Sequence, residues 1–114
     1  MDDEFGYLTT TGRATGRPHK IEIWYERSAN AVWLLAGGGR TADWVRNLEA
    51  DPVCHFRFGG DGPLHSATAR MMVDPEAREA RDAVFAKYQP RRDIDLSSWR
   101  EYALPVALDL DGQG

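Results

Sequence analysis

The sequence contains one cysteine, Cys54, which excludes an intrachain disulfide and any cysteine-based metal cluster. A lone cysteine inside an apolar pattern reads as a small buried hydrophobe. No apolar run approaches the roughly 20 residues needed to span a bilayer as a helix, so no integral membrane segment is expected. Positive charge is not in excess either. The chain has 14 Lys and Arg against 18 Asp and Glu, a net charge of −4, whereas a nucleic-acid partner calls for a basic surface. The three histidines, His19, His55 and His65, have no i,i+4 partner or carboxylate at metal-ligand spacing, so no metal site is expected. Gly-x-Ser-x-Gly, His-Glu-x-x-His, Walker and Gly-x-Gly-x-x-Gly signatures are missing, and nothing resembles a nucleophile with its base. An enzyme with this inventory takes its chemistry from a bound cofactor. Met1-Asp2-Asp3-Glu4 is acidic where a secretory leader is basic, which leads to the expectation of a cytoplasmic protein.

What is present is enough for one domain over residues 1–114 with one modest core, burying roughly 65% of the surface its unfolded chain would expose. Residues 6–11 read as a short strand rich in threonine and tyrosine. After a Gly12–Pro18 turn, period two is clear: Ile21, Ile23 and Tyr25 share one face, while Lys20, Glu22, Trp24 and Glu26 share the other. Residues 27–31 read as a polar turn, and the unbroken apolar run 32–36 as a strand covered on both faces. A helix is expected over 42–50, capped by Thr41, with Trp44 and Leu48 as its buried stripe and Asp51-Pro52 as its end. Two more strands, 53–58 and 64–73, flank a glycine-rich hairpin loop, with His65 placed opposite Arg57. A second helix over 75–88, with Asp74 as its cap, carries Ala77, Ala80, Val84 and Tyr88 on its apolar side. A polar loop holds one helical turn near Trp99, and 104–110 alternate as a last strand. The pattern predicts a mainly β protein, a six-stranded antiparallel barrel, closed or partly closed, with two or three short helices.

Two loops stand out. The first, Thr9-Thr10-Thr11-Gly12-Arg13-Ala14-Thr15-Gly16-Arg17-Pro18, lies in a stretch free of acids from Phe5 to Ile21. It is either a plain hairpin turn or an anion cradle in which Arg13, Arg17 and Lys20 supply charge and threonine hydroxyls and backbone N–H groups supply donors. The second, Ala36-Gly37-Gly38-Gly39-Arg40, is either a flexible connection or bare backbone for a flat ligand. Trp33 and Trp44 read as core, whereas Trp24, on the charged side of its strand, is placed to stack on a ring.

Together the segments Leu8–Pro18, Ile21–Tyr25 and Asp43-Trp44-Val45-Arg46-Asn47-Leu48-Glu49-Ala50-Asp51-Pro52-Val53 resemble the deazaflavin-dependent nitroreductase and quinone reductase family. Leu104-Pro105-Val106 fits the same pattern. The resemblance implies a flavin-reductase-type split β-barrel and a reduced 8-hydroxy-5-deazaflavin (coenzyme F420) that donates a hydride to a quinone, a nitro compound or a similar acceptor. It implies cofactor contacts at Gly12, Arg13, Thr15, Gly16 and Lys20 for the acidic tail, to which the cradle reading adds Arg17, and at Ala36, Gly37, Gly38, Trp44 and Asn47 beside the ring. The acceptor pocket then falls to Trp24, Tyr88 and Trp99, with Tyr88 as the catalytic candidate. The chain departs from the family pattern at Ala14 and His19, where cations are usual. Binding of FMN in the same fold, and a non-catalytic barrel holding a small flavin-like ligand, are therefore the alternatives. The implied partners are small molecules, and a homodimer is compatible with the pattern.

Overall fold

The computed structural model describes residues 4–111. Strands β1 (Gly6–Thr11), β2 (Pro18–Ile23), β3 (Glu26–Ser28) and β4 (Ala31–Ala36) come first. Helix α1 (Asp43–Ala50), strands β5 (Val53–Phe58) and β6 (Leu64–Met71), helices α2 (Glu76–Tyr88) and α3 (Ser97–Tyr102), and strand β7 (Leu104–Leu110) follow. The strands form one antiparallel sheet in the order β2-β1-β5-β6-β7-β4-β3. The sheet curls into a partly closed barrel with β2 and β3 at its two edges. Pro18 lacks an N–H and sits at the start of an edge strand, where that lack is tolerated.

The alternation of β1, β2 and β5 turns Leu8, Ile21, Ile23, Cys54 and Phe56 inward, where they meet Val32, Leu34, Val106 and Leu108. Leu48 and Trp44 of α1 close one end of this interior. Phe56 and Phe58 pack edge-to-face with Tyr25. Each fully buried aliphatic or phenyl side chain here contributes about 1.5–3 kcal/mol. A second apolar cluster lies on the outer side of the same wall: Trp33, Leu35 and Ala107 face Ala77, Ala80, Val84 and Tyr88 of α2, with Leu96 and Ala103 alongside. The described residues therefore form two apolar clusters rather than one, and β4, buried at every position, is their common wall. Arg70 pins this layer to the sheet by pairing with both Glu76 of α2 and Asp109 of β7, each at 2.6 Å.

Several local expectations are corrected. The sheet has seven strands rather than six, because 26–28 pair with β4 before a turn in which Ala29 takes a φ of 52°. His65 lies opposite Phe56, and Arg57 opposite Leu64. Thr41 does not cap α1; its hydroxyl donates to the Gly38 carbonyl at 2.7 Å, and Ala42 takes the cap position. Pro75, not Asp74, is the residue before α2.

Candidate functional site

The β1–β2 hairpin closes through Gly12 N donating to the Arg17 carbonyl at 2.8 Å, and Gly16 turns the chain with a φ of 73°. The His19 imidazole lies against Gly12 so closely that a Cβ there would stand 2.6 Å from Nε2; a larger residue at 12 would have to displace the exposed His19 ring. The hairpin leans on α1. The Arg13 backbone N donates to Asn47 Oδ1 at 3.2 Å. Its guanidinium donates to the same oxygen at 2.7 Å and to Asp43 Oδ1 at 3.1 Å. Asn47 is 3% exposed, and its Nδ2 donates to Thr10 Oγ1 at 3.1 Å. Between hairpin and helix lies a cavity of about 280 Å³ lined by Gly12, Arg13, Ala14, Thr15, His19, Asp43 and Asn47.

A second recess of about 340 Å³ is lined by Phe5, Glu22, Ile23, Trp24, Leu35 and Trp99. A third, about 330 Å³, adjoins it across Trp24 and Trp99 and is bounded by Ile94, Leu96, Ser98 and Tyr102. Ile94 and Tyr102 are exposed, giving this third recess an apolar lip. Trp99 meets Trp24 edge-on at 5.5 Å. Glu22 accepts a hydrogen bond from the Tyr7 hydroxyl at 3.0 Å, which holds the Tyr7 phenol above its ordinary ionisation range.

Strand β2 borders both regions. It carries His19 at the first cavity and Glu22 and Ile23 at the second, with Trp24 following just beyond the strand; at ~3.3 Å per residue, His19 and Ile23 are about 13 Å apart. Gly37 lies under Trp99, where a Cβ would stand 3.5 Å from Nε1, and Gly38 packs on Ala42, the residue before Asp43.

The residues expected from the sequence are distributed unevenly over this geometry. Gly12, Arg13, Thr15 and Asn47 line the first cavity, although the Asn47 amide is consumed by Arg13 and Thr10. Gly16 and Arg17 sit exposed at the hairpin tip, outside the lining. Lys20 is on the opposite face of β2 from His19, as period two requires, and lies 5.4 Å over the Tyr7 ring. Ala36 is buried in β4, while Gly37 and Gly38 are exposed. Trp44 packs on the barrel interior. Trp24 does not offer an open face, because it is already stacked on Tyr88 at 4.6 Å and 7°, with the Arg92 guanidinium over its ring at 4.4 Å.

The expectation that the Tyr88 hydroxyl reaches a cleft is corrected. Tyr88 is fully buried; its hydroxyl accepts from Tyr25 N at 2.9 Å and lies 2.6 Å from the Glu4 carbonyl. Arg40 is paired with Glu49 of α1. The sequence reading missed the roles of Glu22, Tyr102 and above all Asp43. Only the tertiary pairing with Arg13 reveals the place of its carboxylate in the cavity.

The family model described as F420H(2)-dependent quinone reductase matches residues 3–111. Among solved structures, an F420-H2 dependent reductase, FDR-A, is similar at 19% identity and a TM-score of 0.73, covering 95% of this chain and 96% of that one. A chain described as a domain-swapped dimer is 19% identical with a TM-score of 0.72, over 95% of this chain and 81% of that one. HutZ, the heme storage protein of Vibrio cholerae, is 17% identical with a TM-score of 0.75, over 97% and 83%. At these identities the structures establish a common fold, the split barrel. Among the described residues, no helix is long and apolar enough to cross a membrane.

Proposed function

The chain belongs to the F420H(2)-dependent quinone reductase family, a family of oxidoreductases, and on that premise we propose that it reduces a quinone, or a nitro compound of similar shape, with reduced coenzyme F420. One observation carries this reading: a polar cavity offering a guanidinium and an imidazole and an aromatic recess lie along the same edge strand, β2, with His19 at the one and Ile23 at the other. A long ligand with an anionic end and a flat end matches that layout.

The donor set fits the group. The Arg13 guanidinium, the His19 imidazole and the Thr15 hydroxyl give the first cavity hydrogen-bond donors for an anion, with Asp43 offsetting the Arg13 charge. Arg17 and Lys20, exposed on either side, add long-range attraction. Gly37 and Gly38 are exposed, and the sides a Cβ would take face Trp99 and Ala42, so a planar ring would meet their backbone from the other side. When bound, the reduced coenzyme supplies a hydride. Trp99 holds an acceptor beside it and excludes water, with the edge of Trp24 behind and Ile94 and Tyr102 forming the outer wall. A quinone that takes a hydride needs one proton to become the hydroquinone. The Tyr88 hydroxyl is committed to backbone, so the proton falls to water or to a hydroxyl lining the recess, Tyr102 or Ser98.

Quenching of tryptophan fluorescence by reduced coenzyme F420 and by FMN, at 20 mM and 150 mM salt, tests the reading. The deazaflavin is expected to bind more tightly than FMN and to weaken as salt screens its tail beyond about 8 Å. Oxidation of the bound coenzyme by a water-soluble quinone is expected to follow. Tighter FMN binding with no salt effect on either ligand overturns the assignment.

A further inference from the structure

Resting on the reading that the Gly12–His19 cavity takes an anionic group, we infer that Asp43 is a built-in counter-ion that competes with that group for Arg13 and so sets which anions the cavity accepts. The Arg13 clamp has two unlike halves. The Asn47 half is buried and doubly anchored: Oδ1 accepts from Arg13 N and Nη1, and Nδ2 holds Thr10. The Asp43 half is open. Its carboxylate meets Arg13 Nη2 at 3.1 Å, and the two side chains are 88% and 32% exposed. The Asp43 carbonyl adds a weak contact to Nη1 at 3.4 Å.

The buried half keeps the hairpin on α1 and keeps the guanidinium in place whatever Asp43 does. The open half releases at little desolvation cost, because the carboxylate is already in water. Arg13 and Asp43 cancel within the cavity lining, leaving His19 as the other titratable group there. Arg40 is held by Glu49, and Lys20 lies over Tyr7 on the far face of β2. A singly charged carboxylate entering the cavity gains nothing over Asp43. A doubly charged phosphate gains the guanidinium and bears the repulsion of one acid, so the pair admits phosphate-like groups and rejects simple carboxylates.

The test measures binding of inorganic pyrophosphate and of acetate to wild type, Asp43→Asn, Asp43→Ser, Arg13→Ala and the Asp43→Asn/Arg13→Ala double variant, with thermal melts of each. Asp43→Asn is expected to tighten pyrophosphate about 5- to 30-fold at low salt, the scale of one ion pair and one repulsion removed near a surface. It should also steepen the salt dependence and bring in measurable acetate binding. The gain should vanish in the Arg13→Ala background, a coupling that a merely structural Asp43 would not show. Should Asp43→Asn fold poorly, Asp43→Ser carries the same expectation. Unchanged or weaker pyrophosphate binding, or a gain that persists without Arg13, overturns the inference. The two readings fail separately. Equal coenzyme binding by wild type and Asp43→Asn, with no change for pyrophosphate, removes the counter-ion and leaves the reductase reading. A coupled pyrophosphate gain in a protein that ignores coenzyme F420 does the reverse.

Discussion

Tyr88→Phe separates a structural hydroxyl from a chemical one. The Tyr88 ring stacks on Trp24, and its oxygen lies 2.9 Å from Tyr25 N, 2.6 Å from the Glu4 carbonyl and 3.1 Å from the Tyr25 carbonyl. Lys87 Nζ already donates to the Tyr25 carbonyl at 2.7 Å, so the single hydroxyl proton is best used on Glu4. Removing the oxygen keeps the ring stack but takes from Tyr25 N its hydroxyl acceptor, at a position 2% exposed. Depriving a buried donor in this way costs about 1–3 kcal/mol. For a domain of this length, at ~4 °C per kcal/mol, that is a fall in melting temperature of about 4–12 °C. A phenol acting as general acid would instead cost about 100- to 10,000-fold in turnover when lost. Thermal melts beside steady-state turnover, measured well below the transition, decide between them. We expect a lower melting temperature with turnover within a few-fold of wild type. An unchanged melt with turnover down a hundredfold or more refutes the reasoning and returns Tyr88 to the chemistry.

Asn47→Ala takes an acceptor from Arg13 and a donor from Thr10; a loss of about 1–3 kcal/mol in urea unfolding is expected, together with weaker anion binding because Arg13 is no longer oriented. Gly6→Ala would set a Cβ 2.2 Å from Phe56 Cζ, a ring fixed by Tyr25 and Phe58; overpacking of this kind costs about 1–3 kcal/mol, read as a lower melting temperature. Burial pushes the Cys54 thiol from 9.0 up to about 12, so a thiol reagent at pH 8 should label the unfolded chain and spare the folded one. The sign for stability follows from the same shift. The unfolded thiol ionises first as pH rises, so this contribution is intact below pH 9 and is lost between about pH 9 and 12.

Periodicity made β2 and β4 legible: alternation sent Ile21, Ile23 and Tyr25 to the barrel interior and Trp24 to the helical side, and an unbroken apolar run marked the wall shared by two clusters. Strand β3 was not legible. Three residues carry no period, and its turn puts Ala29, not a glycine, in the left-handed region. The β5–β6 register escaped because loop length and geometry, not composition, fix which residue faces His65. The hairpin cavity could be suspected from glycines, threonines and arginines. The partners that decide its charge could not, since Asp43 and Asn47 are thirty or more residues from Arg13 in sequence. Tyr88 was correctly placed on the apolar stripe of its helix, but which way its hydroxyl looks depends on the path of Trp24–Tyr25 between two strands, a tertiary matter.

The double cover of β4 and β7 also divides the sheet into unequal halves. Amide protons of those two strands lie between the barrel interior and the helices, and their exchange with deuterated solvent should require opening of the whole molecule. Strands β2 and β1 have packing on one side only, and β2 is a sheet edge; they should exchange through local fraying at far lower cost. The hairpin that bears Gly12 and Arg13 thus hangs from the soft half, and Gly37 is fastened to the end of the hard half. A ligand lying between them would tie a compliant bank to a rigid one, and the slowing of exchange on binding should appear almost wholly in β1 and β2.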